Sequence, residues 1–250
     1  MIKSIFSIFS SGKDKPQENL DFSSINADMH SHLIPGIDDG AKTIEDSISL
    51  IKQLHAAGYS KLITTPHIMS DYFRNTPEII REGLEVVRAA VKAENIPITI
   101  DAAAEYYVDD GFLKKLEEER LMTFGDNYLL VEISYMNPPD NIKEILFRAM
   151  ILGYKPILAH PERYPYWYNN IDEYKSIRDM GVYLQLNLNS LSGYYGPDAK
   201  RIAEKLVDNT MIDLVGTDMH HQRHAQALQK CMTEKYLQKT FELNLLNRYL

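Results

Sequence analysis

The sequence predicts an α/β chain folded as a single-domain, distorted TIM-like (β/α)7 barrel. Three observations carry that expectation. Strand-like and helix-like patterns alternate strictly from about residue 25 onward. The strand segments are short apolar runs, of the kind that burial on both faces of a parallel sheet requires. The length, 250 residues, suits one α/β barrel better than two smaller domains. Strand–helix units in strict succession imply parallel strands joined by helical crossovers.

The elements follow in order. INADMHSH (25–32) reads as strand one running into a loop. Thr43 opens the first helix, with Asp46 as its capping-box partner. Ile44, Ile48, Ile51 and Leu54 recur at helical spacing, and Gly58 ends the run. KLITTPH (61–67) is strand two. Thr76-Pro77 starts a second helix, since proline fits the first helical position, and Ile80, Leu84, Val87 and Val91 form its apolar face. PITIDAAAE (97–105) is strand three, followed by a charged helix near 110–120. YLLVEISY (128–135) is strand four, with a helix near 140–152. KPILAHP (155–161) is strand five, with a helix near 171–180. GVYLQLNLNS (181–190) is strand six, with a helix near 197–209. MIDLVGTDMH (211–220) is strand seven, with a helix near 222–238.

Residues 25–250 form the expected barrel domain and 1–24 an N-terminal tail and linker. MIKSIFSIFS carries a Lys and a short apolar stretch, but Ser interrupts it and no clear A-x-A cleavage site follows. A cytoplasmic tail is expected there rather than a secretory signal. It would be ordered only if Ile5, Phe6 or Phe9 docks.

Composition removes several function classes. The net charge is −8, from 35 acidic and 27 basic residues. Such a chain has no broad basic surface for gripping a nucleic-acid backbone. No apolar run approaches the roughly 18 residues of a membrane span. A single Cys excludes an intrachain disulfide and a Cys-rich zinc site.

The imidazoles and carboxylates are not scattered. His30 and His32 lie at the end of strand one, with Asp39 in the loop after it. His67 ends strand two, Glu105 ends strand three and Glu132 lies in strand four. His160 ends strand five, and Asp218 and His220 end strand seven. In a βα barrel the carboxyl ends of the strands converge on one rim, where active sites lie. His30 and His32 are two apart on an extended segment, so both point to one side and can share one ion. Asp218 and His220 repeat that spacing. Mixed imidazole and carboxylate ligands suit Mn, Fe or Zn. Nine such residues exceed one coordination shell, so two or three ions bridged by carboxylate are expected. Clustered ions of this kind activate water and clamp phosphate oxygens.

From D-M-H-S-H-L-I-P-G-I-D-D-G (28–40) onward the chain resembles the polymerase and histidinol phosphatase (PHP) superfamily. More closely, it is similar to the bacterial tyrosine-protein phosphatases of capsule and exopolysaccharide loci. T-T-P-H (64–67), Glu105, V-E-I-S-Y (131–135), A-H-P-E-R-Y (159–164) and G-T-D-M-H (216–220) continue the likeness. The resemblance implies a distorted barrel and three divalent metals. His30, His32, Glu105 and Asp218 would hold the first. Glu105, Glu132 and His160 would hold the second, with Glu105 bridging. Asp39, His67 and His220 would hold the third. Arg163 matches the arginine that binds the substrate phosphate, and a planar guanidinium gives bidentate phosphate contacts. The family often has a second such arginine shortly after the last metal histidine. Here H-H-Q-R-H (220–224) offers Arg223 as the nearest candidate.

Other residues carry plainer expectations. Asp28 suits a role orienting a ligand from behind. His55 reads as a bystander, His221 and His224 as a solvated helix start, and Glu45 and Glu162 as unassigned. Y-P-Y-W-Y (164–168) and G-Y-Y-G (193–196) lie in rim-side loops, where they either pack or stack on a substrate ring. A cysteine-dependent tyrosine phosphatase needs C-x5-R, but Leu237 stands six residues after Cys231. The expected activity is therefore metal-dependent hydrolysis of phosphotyrosine on protein, with a metal-activated hydroxide as nucleophile. By resemblance, the protein partner is a bacterial tyrosine autokinase controlling polysaccharide export or polymerisation. The alternatives are a histidinol-phosphatase-like enzyme acting on a small phosphate ester, and a metal-bound regulatory module without turnover. The helix after strand one and the N-terminal tail leave room for homo-oligomerisation.

Overall fold

A computed structural model describes residues 21–118 and 120–250. The expected docking of Ile5, Phe6 or Phe9 lies outside the described residues. The first strands are β1 (Ala27–Asp28), β2 (Lys61–Thr64) and β3 (His67–Ile68). Helix α1 (Ile44–Ala56) stands between β1 and β2, and α2 (Pro77–Ala93) follows β3. Next come β4 (Thr99–Ala102), β5 (Glu105–Tyr107), α3 (Asp110–Glu118), β6 (Tyr128–Glu132) and α4 (Ile142–Ile151). Then follow β7 (Lys155–Ala159), α5 (Ile171–Asp179), β8 (Tyr183–Asn187), α6 (Leu188–Leu191) and α7 (Pro197–Asp208). The chain finishes with β9 (Leu214–Gly216), α8 (Gln222–Cys231) and α9 (Lys235–Phe241).

Local chemistry explains the helix starts. Thr43 accepts a hydrogen bond from the Asp46 amide, and the Asp46 carboxylate accepts one from the Thr43 amide, closing the capping box. Thr76 caps α2, with Pro77 at its first position.

Three predicted elements come apart. Strand two (61–67) divides into β2 and β3 at Thr65-Pro66, because proline has no N–H to offer the ladder. Strand three divides beside it into β4 and β5. Pairing bridges the break: the Ala103 amide donates to Thr64 O (2.9 Å) and the Glu105 amide to Pro66 O (3.1 Å). The helix expected near 222–238 divides into α8 and α9, where the Thr233 hydroxyl bonds the Lys230 carbonyl and the chain turns. Strand six ends at Asn187 rather than 190, because the Asn187 side chain caps the short helix α6.

Among the described residues all strand pairs are parallel. The orders are β1-β2-β4 in one sheet and β3-β5-β6-β7-β8-β9 in the other. Since β3 prolongs β2 and β5 prolongs β4, the two sheets share one sequence of neighbours. Beyond the ends of β9 and β1, Ser31 bridges Met219, and the Asp218 amide donates to His30 O (2.8 Å). The last strand thus returns to the first, as a distorted barrel requires. Inside the ring, Met29, Ile63, Ala103, Leu130, Ile157, Ala159 and Leu214 form an apolar cluster of their own, the filled interior of such a fold. The larger core lies between strands and helices and reaches back to Phe22, which stacks on Tyr59 at 4.9 Å.

The seam between β9 and β1 is fastened by side chains. The Thr217 amide and hydroxyl donate to the Asp28 carboxylate at 2.9 and 2.8 Å. Asn247, wholly buried, donates to Ala27 O and Val215 O and accepts from the Val215 amide. Removing it strands buried backbone groups. Asn247→Ala is expected to cost about 2–4 kcal/mol, lowering Tm by roughly 5–15 °C. A thermal melt indistinguishable from the parent's would show that Asn247 does not hold the seam.

Candidate metal centre

Strand register brings the ligand-type residues together. His67 pairs with Glu105 across β3 and β5, and Tyr107 pairs with Glu132 across β5 and β6. His160 follows β7 and Asp218 follows β9, both with left-handed backbone (φ 31° and 49°) that turns the chain as each strand ends. His30 and His32 lie on the extended segment at the seam. Two glycines let backbone approach them. A Cβ on Gly216 would stand 2.6 Å from His30 Cβ, and one on Gly40 would stand 2.2 Å from His32 O.

The result is three overlapping groups. His30 Nε2 lies 3.1 Å from Glu105 Oε2 and 3.3 Å from Asp218 Oδ1, and His32 Nε2 lies 3.4 and 3.5 Å from the same atoms. His160 Nε2 lies 3.3 Å from Glu105 Oε1 and 3.5 Å from Glu132 Oε1. Asp39 Oδ1 lies 3.3 Å from His220 Nε2 and 3.6 Å from His67 Nε2. The groupings differ from the expected ones in two respects, the first being that His32 also joins Asp39, His67 and His220. The second is that His67 faces two ways, because its Nδ1 is 3.2 Å from Glu105 Oε2 and 3.9 Å from Glu132 Oε2.

This donor set fits divalent cations. His30 Nε2 and His32 Nε2 lie 3.4 Å apart, where two bare lone pairs would repel and a proton or a metal ion relieves them. Both Glu105 oxygens and His67 Nδ1 are buried without a hydrogen-bond partner. In the metal-free chain, protons take up part of this demand. Burial works against a charge on His30, but Glu105 and Asp218 outweigh it and raise its pKa to about 9. Burial, then the adjacent Glu105 charge, pushes Glu132 up to about 8. Glu105 is itself held well below the carboxylate range: burial opposes this, but His30 and His67 prevail. Burial and the Arg163 charge hold His160 down to about 4, leaving a neutral ring with a lone pair to offer.

Residues behind the ligands aim them. The His30 Nδ1–H donates to Gln185 Oε1 (2.9 Å) and the His32 Nδ1–H to Asp38 Oδ2 (2.8 Å), so each Nε2 faces the cluster. The Tyr135 hydroxyl donates to Glu132 Oε1 at 2.7 Å. Sequence reasoning missed Gln185 and Tyr135. It gave such an orienting role to Asp28, but Asp28 orients Thr217 instead of an imidazole. Only the adjacent D-D pair at 38–39 signalled Asp38.

The cluster opens into a cavity of about 580 Å³ walled by aromatic rings, among them Phe73, Tyr107, Tyr135, Tyr194 and Tyr195. Of the two tyrosine runs, G-Y-Y-G reaches the cavity. In Y-P-Y-W-Y, Tyr164 and Tyr166 bond to backbone at Ala159 and Ser134 and pack in the body. Arg163 lines the cavity and donates from Nη1 to Asp218 Oδ2 at 2.8 Å. Arg223 does not join it: it is exposed on the first turn of α8 and is absent from the cavity wall. His221, exposed at the N-cap of α8 as a solvated helix start, and His224, buried against that expectation, both line it. Burial holds His224 down to about 3, so at neutral pH it is an uncharged ring accepting the His220 amide at 3.2 Å. His55 bonds the Tyr59 carbonyl, away from the cavity. Glu162 is buried next to the site and accepts from Ser190 Oγ and the Asn187 amide. Cys231 is buried in α8 and burial pushes its thiol up, so it offers no thiolate.

Comparison with known proteins agrees with this geometry. Residues 26–249 match the family described as capsular polysaccharide synthesis, CpsB/CapC. The tyrosine-protein phosphatase CpsB of Streptococcus pneumoniae is 30% identical over 200 residues, 78% of this chain and 82% of that one. The tyrosine-protein phosphatase YwqE of Bacillus subtilis (strain 168) is 27% identical over 195 residues, 78% of this chain and 77% of that one. A chain from the crystal structures of YwqE and CpsB, described as unique metal-dependent tyrosine phosphatases, superposes with a TM-score of 0.77 at 26% identity. That match covers 89% of this chain and 90% of the other. An amidohydrolase from Mycoplasma synoviae shares the fold more distantly, with a TM-score of 0.54, 13% identity, and coverage of 91% of this chain and 88% of that one. Because the match runs from β1 to the last turn of the chain, this protein belongs to the CpsB/CapC family of capsular polysaccharide synthesis.

Proposed function

We propose that the chain is a metal-dependent protein-tyrosine phosphatase. Its substrate is phosphotyrosine on a bacterial tyrosine autokinase of capsular or exopolysaccharide synthesis, and it works in the cytoplasm. The observation that carries the reading is the buried convergence of His30 and His32 Nε2 on Glu105 and Asp218, which calls for a cation. His30, His32, Glu105 and Asp218 hold one ion, and Glu105, Glu132 and His160 a second. Asp39, His67 and His220 hold a third, and Mn, Fe or Zn suits these ligands. When bound, such ions supply Lewis-acid chemistry, lowering the pKa of water and neutralising phosphoryl charge.

The chain's own groups do the rest. Arg163 binds phosphoryl oxygens through the guanidinium edge that Asp218 leaves free. Gln185 and Asp38 fix the imidazole tautomers, so that no proton stands between His30, His32 and an ion. The aromatic wall offers ring faces to a tyrosyl leaving group and excludes water beside it. Nothing nucleophilic is required of Cys231.

Phosphate release from a phosphotyrosine peptide is expected to stop on adding chelator and to return with Mn, Fe or Zn. A His30→Ala, Asp218→Ala double variant should lose at least a hundredfold in kcat/KM. Unchanged turnover in that variant would sink the metal route, and faster turnover of histidinol phosphate than of the peptide would move the substrate to small esters.

The proton-sharing cluster also sets a pH dependence. In the metal-free chain, His30 is raised from 6.5 to about 9 and Glu132 from 4.5 to about 8. A group raised on folding stabilises fully below its unfolded pKa, and the contribution is lost as pH climbs through the folded value. The Tm in chelator is therefore expected to fall between about pH 6.5 and 9, and added metal to offset the fall by replacing the protons. A flat metal-free Tm across that window would contradict shared protons in the cluster.

A further inference from the structure

The ring stacked most closely on Arg163 belongs to Tyr195, in the loop after α6. The guanidinium carbon lies 4.0 Å from the Tyr195 ring centroid and 5.0 Å from that of Tyr135. Each of these rings is tethered to the metal-type cluster. Tyr135 donates to Glu132 Oε1. Tyr195 Oη accepts from Asn187 Nδ2 at 3.1 Å, and the same nitrogen donates to Asp218 Oδ2 at 3.0 Å. Asp218 Oδ2 in turn accepts from Arg163 Nη1. Arg163, Asp218, Asn187 and Tyr195 therefore close a ring of four contacts. One end of the guanidinium is pinned to a candidate ligand and its face lies against an aromatic ring. Among the described residues its Nε and Nη2 have no hydrogen-bond acceptor.

We propose that Tyr195 is a positioning residue that acts through its ring face, holding the Arg163 guanidinium so that the unused Nε–Nη2 edge meets two phosphoryl oxygens. This rests on the phosphatase reading above. An arginine on a flexible stem loses entropy when it binds phosphate, and a stacked one has already lost it. The Tyr195 hydroxyl only ties the loop to Asn187. The ring supplies the cation–π contact that orients the charge.

The test uses the metal-loaded full chain with Tyr195→Leu and Tyr195→Phe. Binding of inorganic phosphate is read by calorimetry, alongside kcat and KM on a phosphotyrosine peptide, Tm and metal content. Tyr195→Leu is expected to weaken phosphate binding and lower kcat/KM by about tenfold, the scale of a partly desolvated cation–π contact. Its Tm and metal content should match the parent's. Tyr195→Phe should recover most of the loss. Three results would overturn the proposal: phosphate binding in Tyr195→Leu equal to the parent's, an equal loss in Tyr195→Phe, or a fall in metal content that accounts for the defect. If the parent hydrolyses no phosphotyrosine, the phosphatase reading fails, while the phosphate-binding comparison still decides the role of Tyr195.

Discussion

A carboxylate buried among imidazoles needs positive charge, and Glu105 sets that requirement for the whole rim. Its two oxygens stand 3.1–3.4 Å from nitrogens of His30, His32, His67 and His160, with no hydrogen bond to satisfy them. The isolated cost of such burial is several kcal/mol per ion. Protons relieve it in the metal-free chain, and divalent ions would relieve it more fully, because each would bring two charges and accept several lone pairs at once. Glycines at 40 and 216, tautomers fixed by Asp38 and Gln185, and the left-handed turns at His160 and Asp218 all serve to place groups around this one side chain.

The seam between the last strand and the first is the mechanical counterpart. His30 and His32 come from the start of the domain, and Asp218 and His220 from near its end. They share one group only because the backbone runs past each other at Ser31–Met219. Asp28 and Asn247, neither of them hydrogen-bonded to an imidazole, fasten that junction by bonding Thr217 and the backbone of Ala27 and Val215. Ligand geometry and barrel closure are thus one structural problem. The local strand hydrogen bonds are too few at β1 and β9 to solve it without buried side chains.

Much of the site was legible because its chemistry follows the strand period. Histidines and acids at successive strand ends, with H-x-H and D-x-H spacing, are read directly once the strands are placed. Their partners were not legible. Gln185 meets His30 from 155 residues away, and Asn187 meets Asp218 from 31. Neither glutamine nor asparagine stands out in a strand of apolar residues. Arg163 and Arg223 show the same limit from the other side. Both follow a candidate ligand histidine by three residues, yet one turns into the cavity and the other into solvent. The difference lies in the 3₁₀ turn after His160, which carries Arg163 toward Tyr195, whereas Arg223 sits on the outward side of α8.

By itself the sequence determined the alternation of strands and helices, the parallel order that alternation implies, and the kinds of ligand gathered at the strand ends. These depend on local periodicity and on residue type, which the chain carries in its order. Only the tertiary structure decided which aspartate faces an imidazole and which faces the seam, where Pro66 splits a strand, and that Tyr195 rather than a residue of the Y-P-Y-W-Y run lies on Arg163. Those choices depend on contacts between segments far apart in the chain, where a rotation of one turn exchanges a partner, and no spacing along the sequence records that rotation.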